Sequence, residues 1–363
     1  CIKSKLLGSL ALEPEIFLCE KKAGIYKKNE IFLWYHQQIV ANKYLLKKRK
    51  KQLLFLPGFI LYPIVTFFFN FKFTHKHIYA NVKYSSKKKK LVIVAEKLRT
   101  DQKLLKKIKP SIIFSKEEIE NGNKYLEKYK INKDDKIALF GARTALYRNE
   151  NTVSKRNSNI QLQVKSMKLV TEHGYKAIRI GKEKVNKLNT NSDKIFDYTF
   201  SNNTSEFLDI FIASKAKFMV CGPTGLNELA TMMRVPRVLV DYASFNHMHL
   251  ISEAYTPIIL FKKLFSMKTN KLLSYEEIIK KKLFDLETTD QIPGEYKLID
   301  NTEDEILEAT KEMIELIEHK TLNINVEFSK QIRFWKIYEN FYSQKLNMII
   351  SPNFYKKNFN LFN

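Results

Sequence analysis

From Lys136 onward, short apolar runs alternate with amphipathic ones, and that rhythm admits few folds. KIALFGAR (Lys136–Arg143), YKAIRIG (Tyr175–Gly181), KIFDYT (Lys194–Thr199), KFMVCGP (Lys217–Pro223) and RVLVDY (Arg237–Tyr242) each suit a strand. Between them, Ser158–His173, Ser205–Ala216 and Gly225–Arg234 suit helices. In the first of these, Ile160, Val164 and Met167 share a face and Gly174 fits the stop. Strands joined by crossover helices require a parallel sheet, so the expected class is α/β, Rossmann-like.

The arginines fall in an informative place on this frame. Only 9 of the 63 basic residues are Arg, yet Arg143, Arg148, Arg156 and Arg179 lie within one stretch of 37 residues. A guanidinium offers a rigid fork of donors that fits phosphate or carboxylate, which an ammonium cannot copy. Arg143 and Arg179 end predicted strands, and ligands of open α/β sheets bind at the carboxyl ends of strands. A salt bridge is the alternative for Arg143, and a paired structural arginine for Arg179. VCGPTGLNE (Val220–Glu228) reads as a strand, a Gly-Pro-Thr-Gly turn and a helix start, with Gly222, Thr224 and Gly225 suited to a nearby anion. It is neither the full dinucleotide fingerprint nor a P-loop, and an ordinary tight turn is the competing reading. Arg156 and Asn157 precede the first crossover helix, where Asn157 is also a fitting cap. Asp197 ends the third strand and Asp209 sits in an otherwise apolar helix; each is expected to pair with an arginine or to contact a ribose or base.

The first 120 residues are less regular. Gly8–Glu15 suits a loop, Ile16–Ala23 a helix, Ile31–His36 a strand, residues 38–50 a basic helix, Lys72–Lys90 a polar irregular stretch and Leu91–Glu96 a strand. Capping boxes at Ser115 with Glu118, Ser274 with Glu277 and Thr302 with Glu305 open further helices, and Val326–Phe341 suits another. A length of 363 residues is comfortable for two domains. The expected division is 1–130, 131–325, and a C-terminal segment 326–363 packing back on the first domain.

The net charge of +25 fits either an anionic partner or a surface simply rich in Lys; no nucleic acid is expected. Runs such as Lys87–Lys90 and Lys280–Lys282 suit solvated faces. Lys47–Lys51 differs, because the uncharged Leu53–Phe69 follows it. That stretch reads as a transmembrane helix, a buried strand–loop–helix, or an interfacial segment with its basic flank on anionic headgroups. Three cysteines, Cys1, Cys19 and Cys221, write no disulfide framework, which suits a reducing, cytoplasmic setting, peripheral at the inner face of a membrane if the interfacial reading holds. The chain opens on Cys1 rather than Met. No metal site is expected: His247 and His249 have no supporting ligand at a useful spacing, and no Asp-x-Asp stands at a strand end. A serine-hydrolase elbow is absent as well.

The order GSLALEPEIFL, FSKEEIENGNKYLEKYKI, RNSNIQLQVKSMKLVTEHGYKAIRIG and FDYTFSNNTSEFLDIFIASKAKFMVCGPTGL resembles a bacterial family of glycosyltransferases found in surface-polysaccharide gene clusters. The resemblance runs from Gly8 to the final SPNFYKKNFNLF and is most specific from Arg156 to Gly225. It implies a GT-B-like pair of Rossmann-like domains, distantly similar to fucosyltransferases that hold a nucleotide diphosphate without a metal. By that resemblance Arg143, Arg156, Asn157, Arg179, Gly181, Asp197, Asp209, Thr224 and Gly225 bind the nucleotide-sugar donor, no cofactor is needed, and the acceptor is a glycan or lipid-linked. Thr144 stands where the family usually has an acidic residue, Asn159 where it has Asp, Thr224 where it has Ser, and Ser9 where it has His. Glu13, on the expected first loop, is the candidate general base if the reaction inverts. The alternatives are a non-catalytic protein that binds polyanions or membrane surfaces, and a same-fold enzyme acting on another phosphorylated metabolite.

Overall fold

The computed structural model describes residues 2–69, 71, 81–85, 90–94, 103–144, 154–250, 257–285, 292–343, 345–346 and 348–362. The side chains of 69, 81–85, 90–94, 103, 249 and 250 are outside that description, as are Arg148 and the run 86–89.

The first part of the chain carries helices α1 (Leu7–Lys22), α2 (Lys43–Gln52), α3 (Gly58–Phe69) and α4 (Lys116–Glu127). Its described strands are a parallel pair, Leu33–Trp34 with Leu54–Phe55, and a hairpin of Asn81–Ser85 with Lys90–Val94. The second part is built on seven parallel strands: β1 (Lys136–Gly141), β2 (Tyr175–Arg179), β3 (Ile195–Asp197), β4 (Ala216–Cys221), β5 (Arg237–Tyr242), β6 (Ile258–Phe261) and β7 (Ile349–Ile350). Their spatial order is β7-β6-β5-β4-β1-β2-β3. Helices α5 (Val164–Glu172), α6 (Glu206–Lys215), α7 (Gly225–Met232) and α8 (Glu303–Ile314) cover the sheet, and α9 (Ile332–Tyr342) belongs to the aromatic C-terminal cluster. The chain is thus α/β with a large parallel sheet, as its periodicity predicts. Strands covered on both faces lose all contact with water, and Leu139, Phe140, Met219 and Val238 are fully buried.

The three expected capping boxes are present, each with a hydroxyl accepting the third backbone N–H of its helix. Gly174 takes φ +79° directly after α5 and its C-cap His173, the left-handed stop that glycine permits.

Three expectations are corrected. Gly8–Glu15 is not a loop but the first half of α1. Gly8 and Pro14 read locally as breakers, but twelve of the sixteen residues of α1 are buried, and packing overrides propensity. Val326–Phe341 is two helices, Ile324–Lys330 and α9, divided at Gln331, whose amide is fixed to both backbone groups of Ile350. The described contacts of the C-terminal segment are with the sheet and its helices, not the first part: Ile349–Ile350 add to the edge of the sheet as β7, Asn353 N donates to Glu312 of α8, and Phe362 packs on Tyr275 and Phe334.

The two parts share one core. At their junction Glu15 of α1 receives Arg49 of α2 (3.1 Å) and Arg234 after α7 (2.9 Å), with Ser111 N donating to the same carboxylate at 2.9 Å. Burial alone would raise the Glu15 pKa, but the guanidinium groups of Arg49 and Arg234 hold it below the ordinary carboxylate range.

Candidate functional site

The strand order reverses between β1 and β4, where the first crossover leaves towards β2 and the later ones run the other way. A crevice opens there outside the carboxyl ends of the strands. Two turns face it: Ala142-Arg143-Thr144 after β1, and Gly222-Pro223-Thr224 after β4.

Backbone and side-chain bonds tie these turns together. Gly222 N donates to Gly141 O at 3.3 Å, and Ser158 N donates to Arg143 O at 2.9 Å. Arg156 directs its fork at the second turn: Nε and Nη2 both donate to Pro223 O, at 3.1 and 3.0 Å. Arg143 itself is 3% exposed. Thr224 is the N-cap of α7, its Oγ1 accepting Leu226 N at 2.9 Å. Sequence reasoning named Arg143, Arg156, Asn157, Thr224 and Gly225, and the fold brings all five to this one edge.

The glycines of the turn have another use than the one expected. A Cβ on Gly222 would lie 3.1 Å from Ser158 Cβ, and one on Gly225 would lie 3.1 Å from Gly8 N. They permit close packing against the Ser158 segment and the start of α1, so the space next to each is filled by protein. Glu13 is corrected too. It is 2% exposed inside α1, not on a cleft-facing loop. A general base must reach the acceptor hydroxyl, and a carboxylate enclosed by helix packing does not present itself to one.

The remaining candidates lie one or two strands over. Arg179 Nη1 pairs with Asp197 Oδ2 at 3.1 Å and donates to Asn186 O at 2.6 Å, while the same Asp197 oxygen accepts Leu188 N at 3.0 Å. These bonds brace residues 186–188 above β2 and β3, which is the paired reading of both residues. Gly181, at φ +153°, starts that connection. Asp209 in α6 pairs with no arginine among the described residues: it accepts the Tyr198 hydroxyl at 3.0 Å, and burial pushes its pKa up to about 6.

Beside the Arg143 turn lies a cavity of about 880 Å³. Asn157 and Ser158 line one side; Lys262, Phe265, Leu298 and Asp300 line the other. Behind it is a buried polar network that sequence reasoning missed. Ser158 Oγ donates to Asp241, the last residue but one of β5. Asp241 Oδ1 accepts Asn301 N at 2.7 Å, and Asn301 Oδ1 accepts Asp241 N at 2.7 Å. Burial raises the Asp241 pKa, and Lys262 Nζ, 4.0 Å away and bonded to Asp300, opposes that. The signal available in the sequence was a carboxylate within the largely apolar run RVLVDY; the structure holds that Asp241 in the left-handed region, at φ +54°.

Among the described residues no group of three or more His, Cys, Asp or Glu could hold a metal ion, and no helix is long and apolar enough to cross a membrane. The His249 side chain lies outside the described residues.

These features define an open parallel α/β protein with a polar crevice where its strand order reverses. No family model and no curated protein matches the chain. Among solved structures it is similar to a glycosyl transferase family 9 protein from Veillonella parvula DSM 2008, at 12% identity and TM-score 0.37, over 56% of this chain and 53% of that one. It is also similar to the dodecameric iron-containing heptosyltransferase TibC in complex with ADP-D-beta-D-heptose, at 19% identity and TM-score 0.25, over 35% of this chain and 31% of that one. The matched regions thus span about half and a third of those chains.

Proposed function

We propose that this protein is a glycosyltransferase that moves a sugar from a nucleotide-diphosphate donor to a glycan or lipid-linked acceptor in surface-polysaccharide synthesis. The observation that carries the reading is the meeting of Arg143, Arg156 and the start of α7 at the β1/β4 reversal, next to a cavity wide enough for a nucleotide. The leaving nucleoside diphosphate gains negative charge as the glycosidic bond breaks. Guanidinium groups and a helix N-terminus fixed in advance would stabilise that charge, with no metal required. The ring of Phe265 and the apolar side chain of Leu298 suit a base, and Asn157, Ser158 and Asp300 suit ribose hydroxyls.

The test is a thermal-shift and direct-binding panel of UDP, GDP, CDP and ADP with their sugars. A matching nucleotide should raise the melting temperature in a concentration-dependent way. Arg143→Lys should weaken that nucleotide at least about 10-fold, since a point charge does not replace a fork. No shift from any nucleotide at millimolar concentration, with Arg143→Lys indistinguishable from the parent, would remove the donor site and the transferase reading with it.

A further inference from the structure

We infer that α3 is a membrane-docking helix that inserts into one leaflet of a bilayer carrying anionic phospholipid. The segment Gly58–Phe69 contains no charged residue. A helix apolar on all sides is normally enclosed by protein, yet this one stands in solvent. Phe59 is 81% exposed, Phe67 61%, Tyr62 59% and Ile64 48%. Its hold on the protein is at the first turn. Leu61 is buried, the Tyr62 ring lies 6.3 Å from that of Tyr35, and Gly58 fits closely over Tyr35 and the His36 carbonyl. The apolar surface continues onto the parallel pair beside it, where Leu33 and Leu54 are register partners and both about half exposed.

Charge complementarity selects the occupant. Residues 1–69 hold twelve basic and four acidic side chains, and three of those four, Glu13, Glu15 and Glu20, are buried. Lys43, Lys47, Lys50 and Lys51 of α2, one short strand before α3, are exposed. An apolar projection with a basic collar matches acyl chains beneath anionic headgroups. A protein partner would also accept the apolar part, but the collar gives it no reason to be basic throughout. Twelve residues of helix measure about 18 Å, well short of the hydrocarbon thickness, so α3 enters one leaflet and does not span. The inference is independent of the donor-site reading.

Flotation of the full chain with vesicles is the test. With phosphatidylcholine–phosphatidylglycerol vesicles at low salt the protein should float, and with phosphatidylcholine alone it should float much less. Phe59→Ser with Phe67→Ser should lower the bound fraction at least about 10-fold, and Lys50→Glu with Lys51→Glu should lower it and flatten its salt dependence. All four side chains are exposed, so both variants should melt as the parent does and keep any nucleotide-induced shift. Equal flotation of parent and Phe variant overturns the inference. So does a parent that ignores vesicles but forms a dimer that the Phe variant loses, since the face would then cover a second copy.

Discussion

Asp209 shows how one carboxylate couples packing to pH. Burial raises its pKa to about 6 against an ordinary 3.8, opposed by the Tyr198 hydroxyl and Lys182 and assisted by Glu206. Its folded-state pKa therefore exceeds the unfolded value. Above pH 6 the charge is carried in both states and costs stability; as pH falls from 6 towards 4 the folded form takes up the proton first and gains. Asp209→Asn should stabilise the protein at pH 8 by about 1–3 kcal/mol and remove part of the parent's gain between pH 6 and 4. Urea midpoints of both proteins across that range check this, and parallel profiles would refute it. Such a residue was legible only in outline. Its isolation in an apolar helix was visible in sequence, whereas its partner, seven residues before the Ser205 cap, was not, because the bond depends on how β3 turns into α6. Arg143 was easier to read, since strand ends are set by local pattern, and Arg156 was placed by the start of the crossover helix that follows it. Arg179 and Asp197 were each visible, and what joined them was the register that places them opposite one another.

At the scale of elements, Gly122 sits in the middle of α4 against the Phe211 ring of α6. A Cβ added there would lie 2.3 Å from the ring. Helix propensity alone favours Ala over Gly by about 1 kcal/mol, but overlap of this size forces the ring or the helix to move. Gly122→Ala should therefore destabilise the protein, by about 1–3 kcal/mol in urea denaturation; a gain would mean that α4 can slide without cost. The same competition explains which elements the sequence conveyed. The strand–helix alternation after Lys136 needs only local period and caps, and its elements end within two residues of expectation, except that the first crossover helix starts at Val164, after a 3-10 turn, and not at Ser158. In α1, Gly8 and Pro14 send a local signal for a turn, and contacts with α7 and the Glu15 ion group outweigh it. The aromatic run near Val326 read as one helix because Gln331 is a fair helix former; its tie to Ile350 is invisible without the fold.

Across the whole molecule, the shared core makes a strong statement about cooperativity. The chain has two tryptophans, Trp34 in the first part and Trp335 beside the sheet, and both are buried. Single-tryptophan proteins, Trp34→Phe and Trp335→Phe, should show coincident fluorescence transitions in denaturant. Glu15→Gln leaves two buried guanidinium groups short of their counter-charge and should cost about 3–5 kcal/mol, displacing the Trp34 signal at least as far as the Trp335 signal. Transitions that are already separate in the parent would mean that the ion group joins two independently stable bodies.

β7 lies last along the chain yet forms an edge of the sheet, beside a strand roughly ninety residues earlier. Until Ile349 and Ile350 leave the ribosome, β6 is an open row of backbone donors and acceptors flanked by apolar side chains. That is the kind of border on which nascent chains stick to one another. Protein quality control during synthesis thus matters most for this one seam, and a premature stop just ahead of it would yield aggregates in place of a shortened protein.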